Sequence, residues 1–529
     1  MPAQFKKTPI GRTPQSLPCK TLLSSQEMTQ ISNHTPLPDN HIKGLLEWLA
    51  LTHGRNSTDD ASELFKQLMA LREAAIPSAQ RSKFLDLLYN KAKKTIDFEL
   101  RNLRETSLPA PRKIRVRSKS LLAALEILTQ EYFNTLAELF DPNATPASGM
   151  PHTPLHRAME TIAWQIRINH LLASPPGIGL WQQLHMALRT ARRLGIENIP
   201  NSKYNTSIKS VYTNTLLAAI AQPASFSSAE LEFINDYINT LNINLNFGPT
   251  PTLDQSGIFW IDLDKDIPAH ALIRRTPAAD VDILYFSCEE ISKTVLHHHT
   301  ELEKGTPASA LNLPAFADTH AGKGVLFRLS TLWGEPSKRK FPRRRQSYRA
   351  NLCTGLDRLW RLIKSKDIAE DCSEWMVTNE SPDGYALMHI SGRTDDLRVG
   401  DIIALQSTET ASETANHWHI CIIRWAISEN PEHIELGLEL ISAQATAVEV
   451  IPPGKKPLTR IGALMLPQTL PIRSSEALVV PSGIFQGNTS QILVMIEKDN
   501  FEIRQVSATH LDEQTSKIEI FSVSPDHSK

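Results

Sequence analysis

Cysteine is scarce: five in 529 residues (Cys19, Cys288, Cys353, Cys372 and Cys421), with no Cys-x-x-Cys pair. That scatter argues against a zinc site or a disulfide framework and fits a reducing compartment. Long apolar runs are missing too. No stretch of 18 or more apolar residues occurs and the N-terminus lacks a hydrophobic h-region, so the chain is expected to be soluble and cytoplasmic, with no membrane span. Neither sign of charge is in excess. The 56 Lys+Arg against 57 Asp+Glu leave a net charge of -1, which implies no affinity of the whole chain for polyanions. Familiar catalytic signatures are absent as well: no Gly-x-x-x-x-Gly-Lys-Ser/Thr, Gly-x-Ser-x-Gly, His-Glu-x-x-His or Gly-x-Gly-x-x-Gly occurs. The chain reads as a binding protein and not as an enzyme, with no metal and no cofactor.

Two metal-like fragments fail on inspection. Asp262-Leu263-Asp264-Lys265-Asp266 resembles part of a calcium loop but lacks its Gly and closing Glu, so it reads as a turn. His297-His298-His299 lies in a helical pattern. Consecutive helical residues face different directions and cannot converge on one ion, so these read as a solvated helix end.

The basic residues that are present are concentrated. Lys338-Arg339-Lys340-Phe341-Pro342-Arg343-Arg344-Arg345-Gln346-Ser347-Tyr348-Arg349 contains an Arg-x-x-x-Arg spacing, Arg345 to Arg349. A second local run is Pro111 to Lys119. Thirty residues beyond the first run, Asn379-Glu380-Ser381-Pro382-Asp383-Gly384 reads Asn-x-Ser-x-x-Gly. Guanidinium forks offer planar, bidentate, permanently charged donors for phosphate oxygens and the acceptor edge of guanine. A small polar turn ending in Gly brings amide, hydroxyl and backbone groups close to a base or ribose. The two clusters together point to a pocket for a guanine-containing phosphate.

Short strand signals follow the turn: Tyr385–Ile390, Leu397–Leu405, Trp418–Ile427 and His433–Ile441, separated by Gly, Asn and Asp. Such strands fit a small antiparallel barrel. With both motifs in order, residues 338–450 resemble a PilZ domain, the bacterial receptor module for cyclic di-GMP. The resemblance implies that Arg345 and Arg349 grip phosphates and a guanine, with Arg344 or Arg343 as an extra stacking or charge partner. It implies that Asn379, Ser381 and Gly384 close the other side of the nucleotide. The Gly400-Asp401 turn and the Gly437–Leu440 strand also match. The stretch Ala350–Trp375, with its helix-like Gly355–Lys364, is longer than in a minimal PilZ domain and leaves the register of the first strand open. The enzymes of this dinucleotide would need a Gly-Gly-Asp/Glu-Glu-Phe or Glu-x-Leu signature with further acidic metal ligands, and no such set appears.

Composition shifts divide the rest of this multidomain α+β chain. Residues 1–38, rich in Pro, Thr, Ser and Gln, are expected to be a disordered tail. Residues 39–245 carry about eight amphipathic segments punctuated by Pro and Gly, which predict an α-helical array without a fixed repeat. Residues 246–337 are expected to be a small α+β connector, with strands at 257–263, 271–275 and 282–286 and helices near 288–302 and 324–333. Residues 451–525 are expected to form a C-terminal β-module. The functional expectation is a cyclic di-GMP receptor that couples the nucleotide to an unidentified protein partner held by the helical region. Two alternatives stay open: a nucleic-acid binder using 338–349 as a phosphate track, which the near-zero net charge disfavours, and a ligand-free PilZ-like scaffold.

Overall fold

In a computed structural model the chain is described over residues 39–525, apart from 51–56, 75, 105, 107, 141–149, 202–205, 242, 244, 253–255, 279–281, 338–340, 366–371, 395–396, 409–416, 431–432, 454–459, 471–472, 486–490 and 498–500. The 1–38 tail and Lys338 to Lys340 of the basic run therefore lie outside the described residues.

Among the described residues eight helices come first: α1 (Asp39–Ala50), α2 (Ser57–Glu73), α3 (Ser78–Leu103), α4 (Arg112–Phe140), α5 (His152–Leu171), α6 (Leu180–Arg193), α7 (Ile208–Ile220) and α8 (Ser228–Thr240). Helix α5 is central, packing on α4, α6 and α7 through Leu155, Met159, Ile162 and Ile166, all about fully buried. Ser207 and Ser227 each begin a helix with a reciprocal capping box, which satisfies backbone N–H groups that would otherwise be orphaned. The basic run from Arg112 to Lys119 is the start of α4.

A three-stranded sheet ordered β2-β1-β3 follows, from β1 (Ile258–Asp262), β2 (His270–Ala271) and β3 (Ile283–Ser287), with helices α9 (Glu289–Glu303) and α10 (His320–Gly334). The strand predicted over 271–275 stops at Ala271, because the N–H groups of Arg274 and Arg275 both turn back to the Ala271 carbonyl. One continuous hydrophobic core joins this sheet and its helices to α1–α8, running from Leu45 to Trp333. The Asp262–Asp266 segment ends β1 and turns at Leu263–Asp266, a turn that serves the array: Asp266 accepts from the Gly179, Trp181 and Gln182 N–H groups at the start of α6.

Two closed six-stranded antiparallel barrels complete the fold. The first, ordered β4-β5-β6-β9-β8-β7, uses β4 (Arg344–Thr354), β5 (Ser373–Ser381), β6 (Gly384–Ser391), β7 (Ile402–Ser407), β8 (His419–Asn430) and β9 (His433–Ser442). The second, ordered β10-β11-β12-β15-β14-β13, uses β10 (Thr446–Ile451), β11 (Ile461–Leu466), β12 (Ala477–Pro481), β13 (Ile492–Glu497), β14 (Phe501–Gln514) and β15 (Ile518–Pro525). Helix α11 (Leu356–Ser365) leaves the first barrel between β4 and β5 and lies between the two barrels. Its Leu356, Leu359 and Leu362 share one core with Ile402, Ile420 and Ile422 of the first barrel and Leu464, Leu466 and Ile518 of the second. Trp360 lies against Gly462 and donates to the Val448 carbonyl at 2.8 Å. Ile402–Leu405 of β7 and Ile420–Ile423 of β8 are thus buried on both faces, which explains why they read as unbroken apolar runs and not as alternation.

Candidate functional site

Strand β4 begins inside the basic run, and its pairing with β5 sets the site. Arg345 stands directly opposite Asn379 and Arg344 opposite Glu380. Side chains directly opposed across an antiparallel ladder share a face, so the first arginine of the Arg-x-x-x-Arg spacing and the first residue of the turn motif are neighbours. One extra residue is bulged out of β4 between Arg345 and Tyr348, after which Arg349 faces Met376. On the core side Tyr348, Ala350 and Leu352 line the barrel; alternation therefore puts Arg349 on the outer face. The long insertion after Thr354 carries α11, and beyond it β5 pairs back along β4 from Leu352–Ser373 to Arg344–Glu380, with a single register shift at the bulge.

Arg344 and Arg345 are exposed, and among the described residues neither has an ion-pair partner. Arg349 differs. Its guanidinium donates to Glu374 at 2.9 Å, with the two side chains 60% and 30% exposed, and Ser391 donates to the other oxygen of Glu374 at 3.2 Å. Ser381 and Gly384 close the β5–β6 hairpin: the Ser381 hydroxyl reaches Asp383 and donates to the Gly384 carbonyl at 3.2 Å. A side chain on Gly384 would stand 1.9 Å from the Leu438 carbonyl oxygen. The glycine is therefore required by the close approach of β9, whatever else the turn does. Gly437 makes room for a side chain and not for backbone, since a Cβ there would fall 1.7 Å from the Trp425 ring nitrogen.

At the mouth of the barrel, under this edge, lies a polar group that the sequence motifs do not mark. Tyr348 donates to Glu380 at 3.4 Å, and the Tyr385 hydroxyl meets His419 Nδ1 at 2.7 Å. Burial pushes the His419 imidazole below its ordinary value, against a smaller upward pull from Glu380, which favours the neutral ring. Burial likewise pushes the Tyr385 phenol upward. Glu374 and Glu380 are the residues that motif reasoning missed. Each lies across the ladder from or beside an arginine, a cross-strand relation visible only once β4 and β5 are paired.

Elsewhere the three histidines of α9 are not a uniformly solvated end. His297 is exposed, but His298 is half-buried with its Nδ1 at 2.9 Å from the Tyr237 hydroxyl, and His299 packs on Phe327. Among the described residues no group of three or more His, Cys, Asp or Glu is arranged to hold a metal ion. No helix among them is long and apolar enough to cross a membrane.

A six-stranded barrel carrying an Arg-x-x-x-Arg strand against an Asn-x-Ser-x-x-Gly hairpin, behind a helical N-terminal domain, defines a PilZ-containing protein of the cyclic di-GMP receptor class. Family models narrow this. Residues 43–250 match the N-terminal domain of the cyclic-di-GMP receptor FimW, and residues 363–447 match its middle PilZ domain. The two matches occur in that order and together span more than half of the chain, which belongs to this receptor family. Asn379, Ser381 and Gly384 fall inside the matched PilZ stretch, whereas Arg344, Arg345 and Arg349 precede it. No curated protein matches the chain.

Proposed function

We propose that this chain binds cyclic di-GMP on the outer face of the first barrel, where β4 meets the β5–β6 hairpin. The supporting observation is the register that sets Arg345 against Asn379, with exposed Arg344 beside them and Arg349 farther along the same strand. In this reading Arg345 and Arg349 take phosphate and guanine through bidentate guanidinium contacts. Arg344 adds charge, Asn379 presents its amide, and the Ser381–Gly384 turn keeps the hairpin low enough for a base to approach. Coupling follows from connectivity: the lead-in to β4 leaves α10, and Arg274 next to the three-stranded sheet donates to the Ser337 carbonyl at 2.9 Å. A nucleotide that orders the basic segment against the barrel would bias the helical region, and a protein partner held there, through its different affinity for the two arrangements.

Calorimetric titration tests the binding reading, with GTP and a linear guanylate dinucleotide as controls. Saturable binding of the cyclic dinucleotide is expected, and Arg345→Ala with Arg349→Ala should weaken it by roughly 2–5 kcal/mol. Undiminished binding by that double variant would refute it.

A further inference from the structure

Where the helical body, the first barrel and the second barrel meet, the chain forms a half-open cavity of about 390 Å³, a volume typical of small-molecule sites. Much of its wall is apolar, from Leu108, Leu171, Phe226, Phe316 and Val399. The polar part of the wall is biased to one sign. The first turns of α8 and α10 both open on it, through Ser228–Ala229 and His320–Ala321. Backbone N–H groups at those positions have no partner within their helices, and the dipoles present their positive ends there. Arg398, on the loop before β7, brings an exposed guanidinium that makes no hydrogen bond or ion pair among the described residues. The nearby carboxylate whose field it shares, Asp401, is already tied to Lys517 at 2.7 Å.

Arg104 lines the cavity as well, 3.6 Å from Glu232 and 3.6 Å from Asp236. Those separations are too long for a charge-assisted hydrogen bond, and Glu232 is already gripped by Arg167 at 3.0 and 2.9 Å. The carboxylate among the described lining residues, Glu230, is committed to the Ser227 N–H at 2.7 Å. His170 closes the inner wall, and burial holds its pKa down at about 4, so it faces the space as a neutral ring. None of the six residues assigned above to the nucleotide lines this cavity.

We propose that the junction cavity is a second ligand site, built for a small anion with an apolar body: a phosphate monoester or a carboxylate on an aromatic or aliphatic skeleton. Arg398, Arg104 and the two helix starts receive the anionic head, and the Phe226–Phe316 wall receives the body. Because the lining comes from the helical body, Arg398 and Val399 of the first barrel, and Ser482 and Ser516 of the second, an occupant braces all of them against one another.

The test uses the full chain and the anionic fluorophore 1-anilinonaphthalene-8-sulfonate. One saturable class of site is expected, weakened about tenfold or more by Arg398→Ala and abolished by Ala229→Trp, which fills the space. Both variants should titrate cyclic di-GMP as the wild type does, so failure here is separable from failure of the nucleotide reading. Displacement by 1-naphthyl phosphate or by 1-naphthoate identifies the head group, and displacement by neither overturns the proposal. Absence of saturable dye binding to the wild type, or binding unchanged in Arg398→Ala, also overturns it. Arg398 is exposed, so that variant decides alone should Ala229→Trp not fold.

Discussion

Replacing Glu374 by glutamine should tighten cyclic di-GMP binding, although Glu374 is no part of the nucleotide motif. Arg349 is held by Glu374 at 2.9 Å, with side chains 60% and 30% exposed. At that exposure water and salt screen the pair, which is worth about 0.2–1 kcal/mol. If Arg349 must turn from Glu374 to a phosphate, that amount is lost on binding. Glutamine keeps the shape and the Ser391 contact but removes the charge, so the loss largely disappears and Kd should fall roughly 1.4- to 5-fold. Titration calorimetry at about 50 mM and 500 mM salt reads this directly, and the gain should shrink at the higher salt as screening weakens the original pair. Arg349→Ala, measured alongside, should move Kd in the opposite direction and abolish the effect of Glu374→Gln in the double variant. Equal or weaker binding by Glu374→Gln at both salts would refute the idea that Arg349 changes partner.

Four further variants separate fold from site. Gly384→Ala should lower both the melting temperature and the affinity, because its Cβ would meet the Leu438 carbonyl at 1.9 Å and overpacking of this kind costs about 1–3 kcal/mol; Arg345→Ala should lower affinity alone, as a thermal melt beside a titration will show. Arg424→Ala should cost about 1–3 kcal/mol in urea unfolding, since Arg424 of β8 donates to Glu513 of β14 at 2.9 and 2.6 Å and also holds Glu439, leaving two carboxylates uncompensated. His170, held near a pKa of about 4 by burial, is neutral in the folded chain while its unfolded counterpart protonates below about 6.5. Stability is therefore lost as pH falls from about 6.5 toward 4, by about 2 kcal/mol at pH 5, and urea midpoints at pH 7 and pH 5 should differ less in His170→Gln.

Local chemistry in the sequence was enough to reveal the barrel and its motifs. Strands with a turn after each, such as Tyr385–Ile390 and His433–Ile441, read correctly because their signals are short-range. The helical array was readable for a similar reason: each segment carries its own apolar stripe and its own Pro or Gly stop. What depended on tertiary pairing was not readable. The alternating Thr446–Ile451 segment is β10, the opening strand of the second barrel, but it closes that barrel only through β13, some forty residues farther along the chain. Strand β14 runs to Gln514 through polar residues because β15 pairs with it across two irregularities. The Arg349–Glu374 pair requires the β4–β5 ladder, and that ladder is interrupted in sequence by α11. The helix itself was visible as an amphipathic run, but its task of joining two barrels was not, since the second contact surface lies about a hundred residues downstream.

Hydrogen–deuterium exchange of the full chain with and without cyclic di-GMP bears most directly on where the nucleotide sits. Protection should concentrate in peptides covering 341–349 and 377–385, with any change in the helical region smaller and secondary. Protection confined to other surfaces, or no protection at saturating nucleotide, would contradict the assignment of the β4 edge and its hairpin as the binding site.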